Sequence, residues 1–238
     1  MSLHPPDGVF ALPETNHHTK GLILTAIGGM ALTIDIPLIR LADGEAWSIL
    51  LIRSGTTFLA ALVIWAFWRW LTPKAPQLIP GRDGLVVATL YGIGSITFIT
   101  AVFHTSTADL VFILAFNTMF AALLSWLFLR ERPRPVTLVA MALMVFGVMI
   151  IVSSSLGTGN LFGNLMALAS AFCIACAITI SRASGKDMGF TALVGVIFPF
   201  AVAAYMVSGI GFHITEPWWI IFNGAVVMPI SFFCLANG

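Results

Sequence analysis

Apolar residues in this chain come in eight long runs, and the polar residues fall between them. The runs cover 20–42, 47–71, 84–103, 109–129, 135–154, 163–181, 189–211 and 216–236. A helix needs roughly 20 mostly apolar residues to cross the hydrocarbon core of a bilayer. Membrane barrel strands alternate polar and apolar positions over about 10 residues, and these runs are continuously apolar. In lipid the backbone must satisfy its own hydrogen bonds, which leaves helices as the solution. The pattern predicts an all-α, polytopic membrane bundle of about eight transmembrane helices.

Composition agrees with that pattern. Hydrophobic residues make up 59% of the chain, charged residues 9%, and the mean hydropathy is +1.00. A soluble domain carries about 25% charged residues, so the principal partner of this surface is the lipid bilayer. A net charge of +1 gives no reason to expect a nucleic-acid partner.

The placement of the charges orients the spans. Lys20 precedes span 1. Arg69, Lys74 and Arg82 follow span 2, Arg130, Arg132 and Arg134 follow span 4, and Arg182 and Lys186 follow span 6. The opposite gaps hold only Arg40, beside Asp43 and Glu45, and the remaining basic residue, Arg53, lies inside span 2. Basic loops face the cytoplasm. The N-terminus is therefore expected there, in a multi-pass protein of the cell (plasma or inner) membrane. Trp68, Trp70, Trp218 and Trp219 fall at the expected interfaces, which favour amphipathic rings.

Residues 1–19 read as a polar cytoplasmic tail. They lack the basic start and short apolar core of a signal peptide, so span 1 is expected to be retained. Cys173 and Cys176 form a C-x-x-C pair inside apolar span 6, where they read as small packing residues.

Residues 153–160 look like a linker, after which the chain restarts. The stretches 21–40 and 163–182 are both apolar, rich in small residues and end in Arg, at an offset of 142. Five spans per repeat would invert the second copy relative to the first, an arrangement common in secondary transporters. This divides the chain into a first five-helix repeat, 20–155, and a partial three-helix repeat, 161–238.

Several residues carry a family resemblance. The turn His104-Thr105-Ser106-Thr107-Ala108-Asp109, the segment Leu129-Arg130-Glu131-Arg132-Pro133 and the Gly147-containing run 136–152 resemble the end of an EamA domain of the drug/metabolite transporter superfamily. Arg53, in Leu51-Ile52-Arg53-Ser54, resembles the arginine such domains carry in their second helix. Many relatives place proline midway along the fourth helix, where this chain has Asn117. The resemblance implies ten helices in two five-helix repeats, so a complete second repeat would extend past residue 238 by two helices. It also implies transport of small metabolites or drugs, with substrates such as amino acids or nucleotide precursors.

Asp35 and Arg53 are the ionisable residues well inside spans, and each is expensive in lipid unless paired. Spans 1 and 2 form a hairpin centred near Gly44, with Asp35 nine residues before it and Arg53 nine after. The two share a depth, and an ion pair is within reach. Such a pair staples the hairpin, or leaves Arg53 to snorkel outward. Alternatively, Asp35 faces a cavity and takes up a proton or a cationic substrate group. Pro37 removes a backbone donor close by, which predicts a local break in span 1.

Tyr91, Asn117 and Asn223 are polar groups in apolar spans, where they line a pathway or bond another helix. Glu131 is the acidic residue among three arginines, placed for a structural or gating role. Ser106-x-x-Asp109 has the spacing of a helix cap. Gly28-Gly29, Gly92, Gly94 and Gly147 allow close helix approach.

No P-loop, H-E-x-x-H or G-x-S-x-G motif is present, and no acidic pair faces another across inner spans. Neither an enzyme nor a cofactor or metal site is expected. The leading expectation is a secondary transporter working by alternating access without ATP hydrolysis, in either direction. The alternative is a truncated or non-transporting membrane subunit that needs a partner chain, a homodimer partner or a further C-terminal segment.

Overall fold

A computed structural model describes residues 15–71, 78–130, 133, 135–155, 160–186 and 188–237. Among these residues there is no strand, only an isolated bridge between Gly44 and Ile214. Eight helical stretches follow one another. The first comprises Thr15–Thr33 and Asp35–Leu41. The second, third, fourth, sixth and seventh are Ala46–Leu71, Gly81–His104, Thr107–Leu129, Leu161–Ser184 and Thr191–Ile210. The fifth is Pro135–Ser155, and the eighth begins at Pro217 and runs to Asn237.

By length and composition, six described helices can cross a membrane: the second, third, fourth, sixth, seventh and eighth, the last over Pro217–Cys234. The fifth contributes the shorter apolar helix Pro135–Ile150. The first falls outside that set; its leading piece, Thr15–Thr33, opens on the polar residues 15–20. Its start at Thr15 also makes helical some of the residues expected in the polar tail.

Four of the eight stretches are interrupted. The first breaks at Ile34, the fourth at Ala115 and the seventh at Val196. The eighth widens to a π-helix over Asn223–Val227, and the fourth ends in another over Ser125–Leu129. Three of these irregularities sit just before a proline. Pro37, Pro199 and Pro229 each lack the amide that would bond four residues back, and the ring crowds that carbonyl. Two hydroxyls fold back on backbone carbonyls beside these irregularities. Thr33 Oγ1 donates to Met30 O at 2.6 Å, and Ser231 Oγ donates to Val227 O at 2.7 Å. The break at Ala115 has no proline; there Thr118 turns back, its N–H and hydroxyl both donating to Ala115 O.

Helix pairing follows the small residues. The third and sixth helices pack closely, and Ser170 Oγ donates to Gly94 O at 2.9 Å. A Cβ on Gly163 would overlap the His104 carbonyl, so the two backbones nearly touch there. The seventh helix meets the third where a Cβ on Gly195 would lie 2.6 Å from Ala88 O and one on Gly92 3.1 Å from Gly195 O. The eighth meets the second at Gly224, whose Cβ would come 2.7 Å from Arg53 O. The first helix packs on the eighth, and the second on the seventh. Gly92 and Gly94 thus act as expected, but Gly29 and Gly147 have nothing within 4 Å of an added Cβ and are not packing sites.

Outward faces are apolar. Met30, Val63, Leu127 and Val136 are exposed, as suits side chains against lipid tails. Trp70 and Trp218 are exposed near helix ends, while Trp68 packs on Phe190 and Phe233. At the end opposite the basic loops, two connections are tied together. Glu45 N donates to His213 O, Thr215 N to Asp43 O and Glu216 N to Ala42 O, at 3.0 to 3.1 Å. Ser106 caps the fourth helix as its spacing predicted, accepting from Asp109 N at 3.0 Å.

Replacing Ser170 with Ala removes one interhelical hydrogen bond from the third–sixth contact. The expected loss is about 0.5–1 kcal/mol, small because polar groups in lipid also find partners in the unfolded state. Denaturation of the variant beside the parent in the same detergent measures it.

Candidate functional site

The ion pair anticipated between the first two helices is formed. Arg53 Nη2 lies 2.8 Å from Asp35 Oδ2, with the two residues only 7% and 4% exposed. They are the only charged residues buried to that degree among the described residues.

A third group closes the arrangement. Asn223 is fully buried, and its Nδ2 donates to Asp35 Oδ1 at 2.7 Å. Its Oδ1 accepts from Arg53 Nε at 3.4 Å. Each of the three side chains therefore bonds the other two. The orientation of the Asn223 amide follows from this network, since reversal would set donor against donor. Arg53 also reaches Ser95 Oγ at 3.4 Å and Met228 Sδ at 3.6 Å, and its guanidinium lies 5.4 Å from the Phe98 ring centre. Two charges and an amide inside an apolar bundle are thus nearly fully satisfied, the condition on which burying them is tolerable.

The backbone explains the convergence. Asp35 is the first residue after the break at Ile34, and Asn223 is the first residue of the π segment. Absence of a Cβ at Gly224 lets the eighth helix approach the carbonyl of Arg53 itself. Three irregular features, two traceable to Pro37 and Pro229, thus assemble one polar centre. It lies about 10 Å below the tied connections, counting seven residues from Asp35 to Ala42 at 1.5 Å each.

The other expected residues fall elsewhere. Pro37 is exposed and acts through the break it imposes. Tyr91 is half-buried, one helical turn from Ser95 on the third helix, with its ring edge-on to Phe232 at 5.7 Å. It shares the helix face that reaches Arg53 without joining the network. Asn117 lines a separate crevice between the fourth, fifth and sixth helices, and its Oδ1 is buried with no partner among the described residues. Glu131 lies outside the described residues. Cys173 and Cys176 are free and half-buried within the sixth helix.

Sequence reasoning missed Ser95, Phe98 and Met228. Phe98 and Met228 look like ordinary apolar positions. Ser95 alone carried a signal, as the hydroxyl one turn after Tyr91 on a face that also holds Phe98. A smaller polar cluster joins the tops of three helices: Arg40 Nη2 donates to Thr105 O at 3.0 Å, and the Thr105 hydroxyl bonds Asn164 Oδ1.

Chemically, the centre is a neutralised pair held shut by an amide. A proton on Asp35 would release the guanidinium. An anionic group could replace Asp35 as the partner of Arg53, and a cationic group could replace Arg53 as the partner of Asp35.

Apolar helices around a buried charged centre define a polytopic helical membrane protein. The family model described as the EamA-like transporter family matches residues 19–153, more than half of the sequence. The chain belongs to that family, and carries a membrane transporter domain of the drug/metabolite kind. No curated protein and no solved structure matched.

Proposed function

We propose that the protein is a secondary transporter of small metabolites or drugs. It works by alternating access without ATP hydrolysis, and the Asp35–Arg53–Asn223 centre lies on its transport pathway. The carrying observation is where the network sits: a buried ion pair at the meeting of a broken helix and a π segment, the kind of backbone that forms ion and substrate sites in transporters. Asp35 accepts a proton or a cationic substrate group, Arg53 is released, and the first and eighth helices part.

Helix pairing supports an inverted repeat behind this motion. If the sixth, seventh and eighth helices correspond to the first, second and third, the third–sixth contact is the counterpart of the eighth–first contact. The seventh–third contact likewise mirrors the second–eighth. The family match over 19–153 nearly coincides with the first repeat, 20–155. In this reading the basic loops and the N-terminus face the cytoplasm, and the tied connections close the outer end over the centre.

Asp35→Asn keeps the shape and most hydrogen bonds of the centre but cannot ionise. In proteoliposomes loaded with a panel of amino acids, nucleosides and cationic drugs, it is expected to lose the response of flux to a pH gradient that the parent shows. A variant with the parent's flux and pH response would remove Asp35 from the pathway.

A further inference from the structure

The buried centre is shut off from both ends of the bundle, by different means. Opposite the basic loops, backbone hydrogen bonds tie two connections together. Toward the basic loops, the closure is made of aromatic side chains. Ala61, Phe190 and Leu193 are buried together, with Trp68 and Phe232 packed against them. The Trp68 ring lies 6.0 Å from Phe190, and Tyr91 meets Phe232 edge-on at 5.7 Å. Depth sets these rings between the centre and the basic end. At 1.5 Å per residue, Tyr91 lies about 6 Å beyond Ser95, Phe232 about 14 Å beyond Asn223, and Trp68 about 22 Å beyond Arg53.

The rings stand on two kinds of support. Trp68 and Tyr91 belong to the second and third helices, which are unbroken. Phe190 and Leu193 belong to the start of the seventh, where the short piece Thr191–Gly195 ends at the break before Ile197. Phe232 lies beyond the π segment Asn223–Val227. A helix end beyond a break can tilt about it while the rest stays packed. Two features link this cluster to the centre and to the opening at the basic end. The π segment that leads to Phe232 begins with Asn223, so the centre holds the element that carries the ring. An exposed ion pair spans the same seam: Lys186 Nζ, shortly before Phe190, lies 2.6 Å from Asp83 Oδ2, two helical turns before Tyr91.

We propose that this aromatic cluster is the gate of the transport path on the side of the basic loops. Trp68 and Tyr91 are its fixed wall, and Phe190, Leu193 and Phe232 its moving leaf. The gate rests on the transporter reading above. When the bonds from Asn223 to Asp35 and Arg53 loosen, the eighth helix moves about its π segment, Phe232 leaves Tyr91, and the centre opens toward the basic loops.

Thiol accessibility tests the gate without a substrate. In a chain whose Cys173, Cys176 and Cys234 are replaced by alanine, Ser95→Cys sets a single thiol beside Arg53. Sealed membrane vesicles of each orientation are treated with an impermeant anionic methanethiosulfonate. Arg182→Cys, exposed at the basic end, identifies which face is being treated. The thiol at position 95 is expected to react slowly from both faces. Adding Trp68→Ala should speed its reaction from the basic face about tenfold, by removing ring contacts that favour the closed state, and should leave the other face unchanged. Phe190→Ala should act in the same direction from the moving leaf. Trp68→Phe, which keeps a ring, and Phe67→Ala, which removes a lipid-exposed ring from the same helix, should leave the rate as it was. Unchanged labelling in both Trp68→Ala and Phe190→Ala would make the cluster a static core. A rise from both faces alike would make it a general support of the bundle. Either result overturns the proposal. No flux enters the measurement, so failure of the gate and failure of the transporter reading are told apart.

Discussion

Arg53→Met is expected to cost about 3–5 kcal/mol of stability, because it leaves a buried carboxylate without its counter-charge. Asp35 would keep only the Asn223 amide, and Ser95 and Asn223 would each lose a donor. The complementary expectation concerns the pair as a whole. Asp35→Leu combined with Arg53→Met removes both charges and should recover most of the loss, since apolar replacement of a buried ion pair is often close to neutral. Denaturation of the two single variants and the double variant closes a mutant cycle whose coupling term measures the pair. Additive single losses would mean that the two side chains are not coupled in the folded protein.

The second large effect is steric. Gly163→Val drives a branched side chain into the His104 carbonyl at the third–sixth contact. Backbone cannot yield as a side-chain tip can, so the expected cost is at or above the top of the ~1–3 kcal/mol range for overpacking. Gly224→Val should act similarly at the second–eighth contact, where it meets Thr56 and Arg53 O. Gly147→Ala is the internal control. An added Cβ there meets open space in a helix interior, so stability should hold or rise by up to about 1 kcal/mol. The yield of folded protein after detergent extraction, with its denaturation midpoint, separates these outcomes.

Much of the fold is legible in the sequence because lipid imposes strong rules. Continuous apolar length predicts the helices. Symmetry of the hairpin about Gly44 predicts the Asp35–Arg53 pair, since two residues equally far from a turn share a depth. Pro37 predicts the break beside Asp35. The same reasoning applied to Pro199 and Pro229 would have located the break at Val196 and the π segment at Asn223, yet both sit inside runs whose hydropathy never falters. The interruption at Ala115 carries no such mark.

What the sequence withholds is lateral arrangement. Depth along the membrane follows from counting residues, but which helix faces which does not. Asn117 and Asn223 look alike as isolated amides in apolar spans. Packing of the eighth helix against the first and second brings Asn223 to the ion pair, while the gap beside the fifth helix leaves Asn117 in another crevice. Gly147 and Gly92 are likewise indistinguishable until a neighbour is seen to approach one and not the other.

In the proposed mechanism the buried charges serve transport as well as holding the bundle together. The Asp35→Leu/Arg53→Met double variant isolates it, because it is expected to fold. Its flux should be measured in proteoliposomes, beside the parent, for a compound of the panel that the parent carries. The folded double variant is expected to have lost flux to the level of protein-free vesicles. Flux equal to the parent's would make the pair a staple between helices with no part in transport.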